Sequence, residues 1–231
     1  QDQEEGSAGR LSGLGRPQAA TTFRSATNMK EAIGKLRRAF EHYRRSGQLE
    51  QALQVAQYPV RPRVGFQAGL KGLVEPAVEL ASPDSPDAAR LLSIYGRVLG
   101  LEEGRYQAAC EAFDRALTIA ERSGDGSLEM EALANSANVH FFHARYQEAL
   151  RSSLRAIDLS PQVDDPRSEL AARYVAVLTI QETGDLRDAA HHASAMLDLA
   201  ERIRDHFWLV SACWMSEFVS SRRGDWSAAR S

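Results

Sequence analysis

Residues 104–117 read GRYQAACEAFDRAL, and the same skeleton returns as ARYQEALRSSLRAI at 144–157 and GDLRDAAHHASAML at 184–197. The chain closes on GDWSAARS at 224–231. The recurring positions are Gly104, Ala144, Gly184 and Gly224, then Tyr106, Tyr146, Leu186 and Trp226, then Ala109, Ala149, Ala189 and Ala229. Each set steps by forty residues, as do Asp125, Asp165 and Asp205. A fixed period in this range means stacked supersecondary units rather than one globular core. Such stacks recognise other molecules and rarely carry chemistry.

Outward from that stretch, apolar residues recur at helical spacing and no window alternates long enough to be a strand. Helix pairs are expected near 86–102 and 105–122, 127–143 and 146–160, and 166–182 and 186–203. A further helix is expected at 206–222, with a stub from 225. Turn signals separate them at Ser82-Pro83-Asp84, Gly124-Asp125-Gly126, Asp164-Asp165-Pro166 and Gly224-Asp225. The fold class is therefore all-α: a right-handed superhelical solenoid of stacked antiparallel helix pairs.

Toward the N-terminus the pattern weakens. Residues 1–27 are rich in Gly, Ser, Thr, Gln and Ala and read as a disordered or linker segment. Asn28 is placed as a helix N-cap, with Gly47 closing that helix and Leu49, Ala52, Leu53 and Ala56 marking the next. Phe66, Gly69 and Leu73 lie forty residues before Tyr106, Ala109 and Phe113, so 64–81 reads as a degenerate second helix entered through a proline-broken bend at 59–63. The repeat domain then spans 28–231. Having no initiating methionine and stopping just inside a second helix, the chain is expected to be an excerpt truncated within its last repeat.

The residue types at the repeated positions have physical reasons. A glycine at the end of each first helix takes the left-handed conformation without a Cβ clash. Ala144 departs from that rule, so its turn either stays right-handed or carries strain. The alanines at 109, 149, 189 and 229 let two helix backbones approach closely. Leu117, Ile157 and Leu197 are placed on the same face to fill the space between layers.

The pattern Gly-x-Tyr-x-x-Ala-x-x-x-Phe-x-x-Ala-Leu, running from Gly104 to Leu117, resembles the second half of a tetratricopeptide repeat. Residues 144–157 match it more loosely through Tyr146, Ala149, Ala156 and Ile157, and 184–197 more loosely still. The period of forty exceeds the standard 34 of that repeat. It is similar to the longer repeats of large ATP-dependent LuxR-family (MalT-like) regulators and of related adenylate-cyclase-like signalling proteins. The resemblance spans about residues 30–231 and implies an ATPase domain elsewhere in the parent chain.

Chemistry was sought and finds no candidate residues. No GxxxxGK[ST], HExxH or GxSxG occurs, and Gly34-Lys35 is followed by Leu36. His140 and His143 share a helix face but have no third ligand nearby in sequence, and His191 and His192 point about 100° apart. Asp164 and Asp165 read as a capping pair before Pro166. No metal, cofactor or catalytic residue is assigned, and the chain is not expected to be an enzyme. A formal charge of −3 gives no nucleic-acid footprint. Cys110 and Cys213 exclude a disulfide framework, and with no apolar run long enough to cross a bilayer, a reducing cytoplasm fits.

What remains is recognition by the first helices, which the tetratricopeptide resemblance places on the concave side. Columns ten, six and three residues before each turn glycine are expected to face one way. They hold Ile94, Ala134, Tyr174 and Trp214, then Val98, Asn138, Leu178 and Phe218, then Leu101, Phe141, Gln181 and Ser221. Asn138, Phe141, Tyr174, Gln181, Trp214 and Phe218 are the candidate groove residues, the apolar ones being equally suited to packing between layers. The expected function is a non-catalytic binding module. It would be the sensor or scaffold arm of a LuxR-type ATP-dependent regulator, taking a protein, peptide or small inducer and touching neither nucleic acid nor membrane. The alternatives are the repeat region of a cyclase-like signalling protein and a stand-alone assembly scaffold.

Overall fold

A computed structural model of the chain describes residues 16–59, 69–183 and 186–224, and no strand occurs among them. Contacts divide the chain into two units, Gln1–Leu73 and Val74–Ser231, each taken here by itself.

The first unit holds α1 (Arg16–Arg45) and α2 (Leu49–Ala56). Sequence places a linker up to residue 27 and a cap at Asn28, yet the helix opens at Arg16. Pro17 suits a first turn, and no glycine or proline interrupts the run from Gln18 to Ile33. Residues 1–15 lie outside the described residues. Gly47, at φ 74°, reverses the chain after α1, and Ile33, Phe40, Ala52, Leu53 and Ala56 are buried.

Helix α3 (Lys71–Leu80) crosses the boundary between the units. It is shorter than the expected 64–81, and the expectations for the bend and for Phe66 fall mostly outside the described residues. Pro76 stands inside α3 rather than in its first turn, so the helix lacks the N–H that would bond the Gly72 carbonyl.

The second unit is a helical solenoid. First helices α4 (Pro86–Leu101), α6 (Gly126–Phe142), α8 (Pro166–Thr183) and α10 (His206–Arg222) alternate with second helices α5 (Tyr106–Ser123), α7 (Tyr146–Leu159) and α9 (Leu186–Ile203). Every boundary lies within a residue or two of the sequence expectation, while the stub from 225 falls outside the described residues. The start signals are shared by the repeats. Ser85 accepts a hydrogen bond from Ala88 N, Asp125 from Ser127 N and Leu128 N, Asp165 from Ser168 N, and Asp205 from Phe207 N. Each cap satisfies backbone donors that a helix start leaves bare. Two caps also tie neighbouring repeats: Ser127 Oγ donates to Asp165 at 3.2 Å, and Arg167 Nε lies 3.5 Å from Asp205.

The turn positions divide by residue type. Gly104 and Gly224 have φ of 67° and 77°, and a Cβ at either would meet nothing within 4 Å. Their requirement is conformational alone. Ala144 adopts φ 55°, so of the two possibilities for that turn the strained left-handed one is realised. The Gly184 turn lies outside the described residues.

Between the helices, Ala109, Ala149 and Ala189 are all fully buried. One residue before Leu117, Ile157 and Leu197, the positions Ala116, Ala156 and Met196 are also sealed. Leu117, Ile157 and Leu197 themselves are half-buried and pack on the core. First helices contact one another along the row α4, α6, α8 and α10. Each first helix also packs on the second helix of the preceding repeat, and the first-helix row is sparsest between α8 and α10.

Candidate functional site: the accessible arc of the first helices

One accessible strip of α8 is Ala171, Tyr174, Leu178 and Glu182, spaced three or four apart. At about 100° per residue they cover an arc of about 80°. The equivalent arc holds Glu131, Asn138 and Phe142 on α6, and Ser211, Trp214, Phe218 and Arg222 on α10.

Against this arc the six candidate residues separate. Tyr174 and Asn138 are half-buried on it, Tyr174 packing edge-on against Trp208 at 6.4 Å between ring centroids. Burial raises the Tyr174 phenol above its ordinary pKa. Trp214 and Phe218 lie on it one turn apart and stack at 6.1 Å with planes 21° apart. Trp214 is 49% exposed. The third column divides, Gln181 being buried and Phe141 half-buried. Phe141 packs on the buried cluster of Ala137, Ala149 and Val175 and touches the Tyr146 ring at 5.7 Å. Gln181 is 4% exposed, and neither of its amide atoms has a hydrogen-bond partner.

The reason is angular. From position 174, position 181 lies about 20° to one side, toward fully buried Val177, whereas 182 lies about 80° to the other, toward solvent. The accessible members of that turn are Phe142, Glu182 and Arg222, which counting back from the glycines misses by one residue. Phe142 is 52% exposed beside Phe141. Arg222 lies over the Phe218 ring at 5.7 Å and reaches Glu182 at 3.6 Å. Stacked indole, phenyl and guanidinium groups with a carboxylate at the edge form a surface suited to a peptide bearing apolar and charged side chains.

The histidines are embedded in the scaffold. Tyr106 Oη and His140 Nδ1 share a hydrogen bond of 2.9 Å, His143 Nε2 donates to the Gly100 carbonyl at 2.9 Å, and Arg173 donates to His192 Nδ1 at 3.2 Å. Burial lowers the pKa of His140 and His192. Among the described residues no group of three His, Cys, Asp or Glu side chains could hold a metal ion. None of their helices is long and apolar enough to cross a membrane.

The seam between α4 and α6 is another feature that sequence reading missed. Arg90 Nε meets Glu131 at 3.3 Å and Asn135 donates to Ser93 Oγ at 2.9 Å, while burial raises the Glu131 carboxyl and lowers Arg97. One seam along, between α6 and α8, the contacts are apolar, with Met130, Ala134 and Ala172 in one buried cluster.

The tetratricopeptide repeat family model matches residues 87–162, which cover α4 to α7. Those four helices are thus similar to tetratricopeptide repeats. The fold of the chain is similar to the crystal structure of the nearly identical TPR-like repeats of a Podosopora anserina protein assigned as a kinesin light chain. That likeness has a TM-score of 0.53 at 13% identity, over 86% of this chain and 90% of that one. At such identity it speaks to the fold alone. No curated protein sequence matches the chain. Tetratricopeptide repeats generally act as protein-binding scaffolds.

Proposed function

We propose that the chain is a non-catalytic module that binds a protein or peptide segment along the accessible arc of α6, α8 and α10. The observation that carries this is the exposed ladder of Trp214, Phe218 and Arg222 beside Glu182 on adjacent first helices. Exposed aromatic and arginine side chains held against one another are poor solvation partners and good anchors. Peptides selected from a displayed random library against the full chain should lose about tenfold or more in affinity for the Trp214→Ala/Phe218→Ala variant. They should bind unchanged to Asp114→Ala, which alters α5 instead. Peptides indifferent to Trp214 and Phe218 would remove the reading.

The finer reading is that this module is the sensor arm of a cytoplasmic LuxR-type ATP-dependent regulator. It is supported by the forty-residue period and the texture of residues 91–125 and 184–214. A ligand on the arc would then act through its differential affinity for two arrangements of the arm. Sequencing the gene outward tests it: an upstream P-loop is required, and flanks holding only further repeats would replace it with an assembly scaffold.

A further inference from the structure

The near-neutral total charge conceals a segregation. Residues 1–73 carry twelve Lys and Arg against six Asp and Glu, whereas residues 74–231 carry sixteen against twenty-five. Within the basic unit the charge concentrates on one face of α1. Lys30, Arg37, Arg38, Arg44 and Arg45 are all exposed, with Gly34 and Glu41 between them. Ile33 and Phe40 are buried on the strip beside Lys30, Arg37 and Arg44, so the helix is held by its apolar seam and the basic residues line the exposed edge of that seam. Glu41 pairs with Arg44 at 2.8 Å and with Arg45 at 3.8 Å. Lys30, Arg37 and Arg38 are in none of these short ion pairs, although Arg37 acts on Glu41 and Arg38 on Glu31 at longer range. An open cleft of about 830 Å³ follows this face past Gly34, Arg37, Arg38, Glu41, His42 and Arg45.

The spacing discriminates between anionic partners. The basic residues fall at 30, at 37 and 38, and at 44 and 45, a seven-residue step of about 10 Å. That step matches the repeat of side chains along one face of a second α-helix, where charges at heptad positions set partner and register. A reader of single-stranded nucleic acid would stack bases on free aromatic rings, whereas the ring lining this cleft, His42, packs edge-on against Tyr43 at 5.5 Å. Arginine predominates, and its planar fork matches carboxylates in pairs.

We propose that this face of α1 is a docking surface for an α-helix of another protein that carries carboxylates at seven-residue intervals. It is separate from the arc on the first helices and works by charge register rather than by aromatic anchors. Glu41 sits inside the stripe and sets the position at which the partner helix must omit a carboxylate or offer a cation.

The test uses the full chain and two labelled helical peptides of equal composition. One carries Glu at heptad positions and the other carries the same Glu residues distributed around the helix; a duplex DNA of matched charge is the third probe. Fluorescence anisotropy should show the heptad peptide binding about tenfold tighter than its scrambled partner, with affinity falling as salt rises. Arg37→Gln/Arg38→Gln should abolish that preference while circular dichroism keeps its helical signal, because glutamine is nearly as good a helix former. Should that variant lose helix, Arg44→Gln/Arg45→Gln at the far end of the stripe reports the same preference. Equal binding of both peptides, tighter binding of DNA, or indifference of a folded variant would each overturn the proposal.

Discussion

The hydroxyl of Tyr106 on α5 lies 2.9 Å from Nδ1 of His140 on α6, joining a second helix to the first helix of the next repeat. The phenol donates if the His140 proton sits on Nε2 and accepts if it sits on Nδ1, so the contact serves either neutral tautomer.

Burial is the main cause that lowers the His140 pKa, with Arg151 and His143 adding to it and Glu148 and Asp114 opposing it. His192 is lowered the same way by burial, Arg173 and His191. A depressed folded pKa means that the unfolded chain binds more protons. The stabilisation is therefore complete above the unfolded value of about 6.5 and is lost as pH falls through the folded pKa. Glu131 acts in the opposite sense, because burial raises its carboxyl and its contribution fades as pH rises through its folded pKa. Urea denaturation at pH 7.5 and 5.5 should show a loss on the order of 1 kcal/mol at the lower pH, since both imidazoles are only partly shielded. His140→Gln should flatten that slope. An unchanged slope in the variant would place the pH dependence elsewhere.

Ala144 holds φ 55° where Gly104 and Gly224 hold 67° and 77°. Arg204, at 52°, likewise ends α9 in the conformation with which Gly124 ends α5. A side chain in this region costs about 1 kcal/mol relative to glycine. Ala144→Gly and Arg204→Gly should each raise the urea midpoint by an amount equivalent to about 0.5–1 kcal/mol, and Gly104→Ala should lower it comparably. The test of the argument is the opposite signs of the two exchanges within one turn type.

The forty-residue step made the solenoid legible because each repeated position has a local reason: a left-handed turn, a backbone approach or a cap. Asp125, Asp165 and Asp205 do what their placement implies, and Ser85 continues the series. The accessible arc was less legible. Its inner edge depends on which neighbouring helix covers a position, and one residue of error turns a side chain by about 100°. Tyr174, Trp214 and Phe218 fall on the arc, but Gln181 falls inside and Glu182 outside. The polar contacts Arg90–Glu131 and Asn135–Ser93 were hidden for a related reason. Both join residues about forty positions apart, a register that becomes visible only when α4 and α6 are laid side by side.

Gly100, where α4 meets α6 of the next repeat, and Gly96, where α4 meets α5 within one pair, are covered closely by neighbouring side chains. A Cβ at Gly100 would collide with Val139, and one at Gly96 would lie 2.8 Å from the Phe113 ring. Both neighbours are buried and cannot retreat without opening the core. Gly100→Ala and Gly96→Ala should each destabilise the repeat region by about 1–3 kcal/mol through overpacking, against the small gain alanine brings inside a helix. A stabilising outcome in thermal denaturation would show that Val139 and Phe113 can repack.

Gln181 presents the last and sharpest case. Its side chain is sealed between α8 and its neighbours, with neither Oε1 nor Nε2 hydrogen-bonded. An amide buried without partners costs about 1–3 kcal/mol relative to one left in water, and an apolar side chain of similar volume escapes that cost. Gln181→Met should therefore stabilise the chain by about 1–2 kcal/mol in chemical denaturation. Peptides that bind the arc should bind the variant as they bind the parent, since position 181 does not reach the accessible surface. A destabilised variant would mean that the amide has a partner in solution, and lost peptide binding would return Gln181 to the recognition surface.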